Sequence, residues 1–176
     1  MGDWQLTRDA WNLSGTVLLY FLFSCALFAA DSSPHVTLDA NKANPRAVEP
    51  LTQRAILRDY KFAWGNIDSA LASNSHVPLN GLFAGSANDW LKGVLDGQRQ
   101  TGVTSRYLNQ NHKLEAVFYA PAGDVIELHD TAEYDLEIHD GGKAIHSEHA
   151  TVRYVVLMTP AADRWIIRQL QAVPQF

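Results

Sequence analysis

Residues 123–139 read Gly-Asp-Val-Ile-Glu-Leu-His-Asp-Thr-Ala-Glu-Tyr-Asp-Leu-Glu-Ile-His, an alternation of apolar and polar residues with period two. Successive strand side chains point to opposite faces. Ile126, Leu128, Ala132, Tyr134, Leu136 and Ile138 therefore share one face, and Glu127, His129, Thr131, Glu133, Asp135, Glu137 and His139 share the other. The pattern predicts a long antiparallel strand with one apolar and one wet face. Asp130 breaks it, because a carboxylate on the apolar face needs a partner or a purpose.

Downstream, Asp140-Gly141-Gly142-Lys143 reads as a hairpin turn. His146 to Met158 alternates again, with Ala150, Val152, Tyr154, Val156 and Met158 on one face. Pro160 to Asp163 turns the chain, and Trp165 to Val173 forms a last strand. The turn sets the register: His139 faces Ile145, Ile138 faces His146 and Asp130 faces Tyr154, or a shifted pairing puts Asp130 opposite Val156. A one-residue slip mixes the faces and is disfavoured. The favoured register offers Asp130 a hydrogen bond from the Tyr154 phenol and places Asp135 opposite His149.

Upstream, Pro50 suits a first helical position. Ile56, Tyr60, Ala63, Ile67 and Leu71 recur at helical spacing to about Ala72. A second helical region runs from about Leu79 to Gln100, interrupted at Gly85, with Ser86 and Asp89 as a capping box. Trp90, Leu91, Val94 and Leu95 form its inner face, and Gly102 stops it. Thr104 to Tyr119 holds one or two strands, in which Leu114, Ala116 and Phe118 alternate.

The N-terminal part divides into an arm (1–12), an apolar segment (13–30), a Pro-spaced polar linker (31–49) and a domain (50–176). The apolar segment carries no charge, and roughly 20 apolar residues span a bilayer, so it is read as a membrane anchor centred on Leu18, Leu19, Tyr20, Phe21, Leu22 and Phe23. A cleaved or lipidated export signal is the alternative. Either way the domain is expected on the exported side: periplasmic, lumenal or intermembrane.

With 176 residues, 47% hydrophobic and 19% charged, the chain can build a core, and its net charge of −5 argues against nucleic acid as a partner. The single cysteine, Cys25, excludes a disulfide framework and a cysteine-based zinc site. The pairs His129-Asp130 and His139-Asp140, with His146 and His149, invite a metal reading. Strand parity and spacings of more than about 10 Å keep three of them from meeting. No metal and no cofactor are expected.

Helices followed by a strongly curved antiparallel sheet resemble the cone-shaped α+β folds named after nuclear transport factor 2, the SnoaL-like superfamily. From about Leu79 to Val173 the chain is similar to the intermembrane-space domain of chloroplast-division proteins and their cyanobacterial relatives. The residues that carry this are Leu82-Phe83-Ala84-Gly85-Ser86-Ala87-Asn88-Asp89-Trp90-Leu91, then Gln98, Gly102 and Tyr107. Thr131-Ala132-Glu133, Val152-Arg153-Tyr154 and Trp165-Ile166-Ile167 complete the set. The resemblance implies a membrane-anchored domain that binds another protein rather than one that performs chemistry.

Two functions follow. The leading one is a non-catalytic binding module supporting a membrane complex, with Glu133, Asp135, Glu137 and His149 as an acidic partner surface. The other is a small pocket enzyme or ligand-binding protein of the isomerase, dehydratase or cyclase type, with Asp130 as base and Tyr154, Tyr134, Tyr60 and Trp64 around it. The bland alternative for Asp130 is a β-bulge that turns its carboxylate to solvent or to backbone amides.

Overall fold

The computed structural model describes residues 33–176. The apolar segment, including Leu18 to Phe23, lies outside them. Among the described residues no helix is long and apolar enough to cross a membrane.

In chain order the elements are β1 (His35–Asp39), β2 (Asn44–Pro45), α1 (Pro50–Ser73), a 3-10 turn (Val77–Leu79), α2 (Gly85–Thr101), β3 (Val103–Tyr119), β4 (Ile126–Asp140), β5 (Lys143–Pro160) and β6 (Trp165–Val173). They make a mixed α+β architecture: a curved six-stranded sheet in the order β1-β3-β4-β5-β6, with β2 also on β3, and two helices against one face. The stretch read as a linker differs from expectation. Residues 35–39 and 44–45 pair in parallel with β3, Val36 opposite His112 and Leu38 opposite Leu114. Val36 and Leu38 pack on the core, so a short alternation hidden among polar and proline residues was enough to join the sheet.

Helix α1 starts with Pro50 in its first turn and ends at Asn74, whose left-handed backbone (φ 49°) lets its N–H close on the carbonyls of Ala70 and Leu71. The buried stripe is Ile56, Tyr60, Ala63, Trp64, Ile67 and Leu71, as the spacing predicts, with Trp64 added. Asn74 also joins three elements. Its Nδ2 donates to Val103 O at 2.8 Å, and its Oδ1 accepts from Gln98 Nε2 at 2.6 Å.

Helix α2 departs from its predicted form. Its N-cap is Ala84 with no side-chain cap, and the Ser86 hydroxyl instead donates to the Arg168 carbonyl on β6. Gly85 holds φ +54°, and a Cβ there would lie 3.1 Å from the Arg168 carbonyl oxygen. Glycine is needed because both the backbone angle and the close approach of β6 exclude a side chain. Trp90, expected inside, is 38% exposed. Ala87, Leu91, Leu95 and Gln98 form the buried face, with Val94 partly buried against the core, and the helix lies mainly on β6.

The β4–β5 register is the expected one from Ile126 opposite Met158 through Asp130 opposite Tyr154 to Ile138 opposite His146. It slips only at the turn, where His139 faces Ala144 and Ile145 is left over in a bulge. Strand β3 bends at two irregularities, between Leu108 and Asn111 and between Ala116 and Phe118. The second reverses parity, so Phe118 turns out (38% exposed) and Tyr119 turns in. Strand β6 ends opposite Arg153, leaving residues 143–152 of β5 with no described strand on their outer side. Lys143 and the Ile145 bulge blunt that edge against pairing.

Candidate functional site

Asp130 is fully buried, and it lies in a regular part of the ladder between Leu114 and Tyr154. The irregularities in β3, at the β4–β5 turn and between β5 and β6 all lie at other heights, so the solvent-facing reading of Asp130 is overturned. Its carboxylate points at α1, where Tyr60 donates to Oδ2 at 2.7 Å. The same oxygen lies 2.7 Å from His112 Nδ1 on β3. His112 sits opposite Ala132, two residues from Asp130, and diagonal neighbours on one sheet face are within side-chain reach.

The expected bond from Tyr154 to Asp130 is not made. The Tyr154 hydroxyl instead meets that of Tyr134 at 3.2 Å. Trp64 stands over the group. Its ring centroid is 4.4 Å from His112, 5.6 Å from Tyr154, 6.3 Å from Tyr134 and 6.4 Å from Tyr60. Tyr107 closes the side at 4.7 Å from Tyr134. The five residues named from sequence thus come together, with His112 and Tyr107 added. His112 was missed, although extending the parity of Leu114 and Ala116 backward puts it on the apolar face.

A carboxylate on Nδ1 orients an imidazole and leaves Nε2 for chemistry. Here His112 Nε2 and Asp130 Oδ1 have no hydrogen-bond partner, and both side chains have no exposed surface. The arrangement has the parts of a general base but no access to a substrate.

Burial acts on the tyrosines in one direction. Desolvation, reinforced by Asp130, raises the Tyr60 pKa well above its ordinary value. Desolvation first and then the neighbouring Tyr134 phenol raise Tyr107 and Tyr154; desolvation also raises Tyr134, opposed by its bond to Tyr154 and reinforced by Asp130. Because their folded pKa values lie above the unfolded value, these tyrosines contribute stability that is complete below about pH 10 and is lost as pH rises further. Tyrosinate absorbance should therefore appear cooperatively with loss of the fold above about pH 11. Gradual titration of all the tyrosines without unfolding would contradict this.

The proposed partner surface lies on the opposite face of the sheet, and each acid there has a local partner. Glu133 meets Lys113 at 3.2 Å, which holds its carboxyl below the usual range. Asp135 accepts from Asn109 at 2.7 Å and lies 2.8 Å from His149 Nδ1, with the same effect. Glu137 lies 2.9 Å from His139 Nε2. Glu133, Asp135, Glu137 and His149 are therefore together on one face, as a mosaic of both signs rather than a bare acidic patch. Among the described residues no group of three or more His, Cys, Asp or Glu is placed to hold a metal ion.

No family model matches the chain, and no curated protein sequence matches it. Solved structures do. The intermembrane-space region of the chloroplast protein ARC6 aligns with a TM-score of 0.56 at 11% identity, over 68% of this chain and 95% of that one. A function-unknown protein from Mycobacterium tuberculosis aligns at 0.43 and 15% identity, over 73% and 78%. A de novo β-sheet design aligns at 0.35 and 14%, over 68% and 88%. The chain is thus related in fold to the ARC6 intermembrane-space region.

Proposed function

We propose that the chain is a membrane-anchored accessory protein whose domain binds another protein and supports a membrane-associated complex. In this reading residues 13–30 anchor it, the domain stands on the exported side, and its sheet and helices are a cone of the nuclear transport factor 2 type. The observation that carries the reading is the closure of Asp130 and His112: both are fully buried under Trp64, so the polar core braces the sheet and neither group of this pair reaches solvent. The fold likeness to a domain from an intermembrane space is consistent with that place and role.

The test is detergent extraction of the tagged full chain from membranes, followed by identification of what co-purifies. Combined reversal of Glu133, Asp135 and Glu137 to lysine should lose the specific partner, while Asp130→Asn should keep it. A full chain that is soluble without cleavage, or a partner indifferent to the reversals, would reject the proposal.

One observation favours a second reading, a pocket enzyme: His112 Nε2 is left without a partner while Nδ1 is held by Asp130. That reading requires the core to open. It predicts that Asp130→Asn abolishes turnover while leaving partner capture intact.

A further inference from the structure

On the outer face of the sheet, beside β1, a cavity of about 480 Å³ is lined by His35, Thr37, Asn109, Gln110, Asn111 and Lys113. It shares Thr37 and Lys113 with a neighbouring cavity of about 430 Å³ bordered by His129 and Phe176. The two form one groove across β1, β3 and β4. We infer that this groove binds a carbohydrate, taking a short linear oligosaccharide along β1.

Three consecutive carboxamides meet at the β3 bulge, where Asn109 holds a left-handed backbone at φ 52°. Non-glycine residues adopt that conformation rarely, and bulges re-aim side chains. The polar heads are fixed in advance. Asn109 Nδ2 donates to Asp135 at 2.7 Å, Asn111 Oδ1 lies 3.1 Å from His35 Nδ1, and Lys113 Nζ lies 3.2 Å from Glu133. Gln110 is the clearest pointer to a ligand. It is 5% exposed, its Nε2 donates to the Tyr107 carbonyl at 2.9 Å, and its Oε1 has no donor. A buried acceptor without a donor calls for an explanation, and a ligand hydroxyl or amide N–H supplies one.

The other end of the groove offers the second thing a sugar needs, a flat surface for its C–H face. The Phe176 ring is 52% exposed and stacked on His129, with centroids 4.3 Å apart and planes 11° apart. The charges point the same way. Asp39 and Glu115 line the groove and Glu133 already engages Lys113, which disfavours a phosphate or polyanion. Preformed amides at one end, an aromatic platform at the other and little net positive charge suit a polyhydroxylated ligand. The groove borders the proposed partner surface, since Asn109 and Lys113 bond Asp135 and Glu133, but a saccharide needs no protein partner to bind there.

The test titrates the isotope-labelled full chain in detergent micelles with cellotetraose and with chitotetraose, following amide shifts and heat. At least one should bind with Kd below about 10 mM, with shifts confined to residues 35–39, 109–115, 129–131 and 176. Asn111→Ala, half-buried, and Lys113→Ala, exposed, should each weaken binding about tenfold or more while the domain still melts cooperatively. Gln110→Glu retains an acceptor and should bind better than Gln110→Leu. Trp90→Ala, in a separate cleft, should change nothing. The inference is overturned if neither saccharide binds, if the shifts fall elsewhere, or if both alanine variants bind as the parent does.

Discussion

His112→Ala is expected to destabilise the domain by about 3–5 kcal/mol, read as a fall in the urea midpoint with unchanged slope. Two effects combine. Removing the imidazole leaves Asp130 Oδ2 with Tyr60 alone in a site closed to water, and breaking one partner of a buried polar pair exposes the full desolvation cost of the other. The substitution also empties space directly beneath Trp64, whose ring centroid is 4.4 Å from that of His112. Such a loss is a large fraction of the 5–15 kcal/mol or so by which single domains are stable. The triple variant Tyr60→Phe, His112→Phe, Asp130→Leu should recover most of it, because an apolar group of similar shape needs no partners. If the triple variant folds and still captures a partner, the polar cluster is structural. If it folds but loses an activity that the parent has, the pocket-enzyme reading gains. A single variant as stable as the parent would show that the pair does not brace the sheet.

Trp64→Ala should cost about as much, roughly 3–5 kcal/mol, for a different reason. Trp64 is fully buried and contacts rings from four elements: Tyr60 on α1, Tyr107 and His112 on β3, Tyr134 on β4 and Tyr154 on β5. It is where the helix meets the curve of the sheet, so its loss opens a cavity that the surrounding strands cannot close without flattening. Phe at this position retains part of the volume and should cost less. Trp90→Ala is the matched control: a tryptophan already 38% exposed is expected to change stability by no more than about 1 kcal/mol. Thermal melting of the three variants separates the cases. Equal losses for Trp64→Ala and Trp90→Ala would contradict the packing described here.

The strands β4, β5 and β6 were legible in the sequence because a buried sheet face imposes period two on its residues and a tight turn fixes which residues face each other. Pairing from Ile126–Met158 to Ile138–His146 follows from those facts alone. Helix α1 was legible for the same kind of reason at period 3.6. What failed were features with no period. The five residues of β1 are too few to stand out among prolines, and the bulges at Asn109–Gln110 and Val117 each reverse parity by adding one residue. That is why Phe118 was placed inside and is found outside, while Trp90 lies at the exposed edge of the α2 stripe.

The sequence by itself determined that Asp130 lies on the apolar face of a long strand opposite Tyr154, since side-chain alternation and turn length are local properties of the chain. Only the tertiary structure decided what Asp130 does there. Its partners are Tyr60, 70 residues away on a helix, and His112, 18 residues away on the neighbouring strand. The choice among Tyr60, His112 and Tyr154 depends on how closely α1 approaches the sheet and where β3 bends, and no local pattern encodes either distance. The same bend that seats His112 under Trp64 turns Asn109 and Gln110 toward the outer groove, so one irregular strand sets both the closed core and the open face.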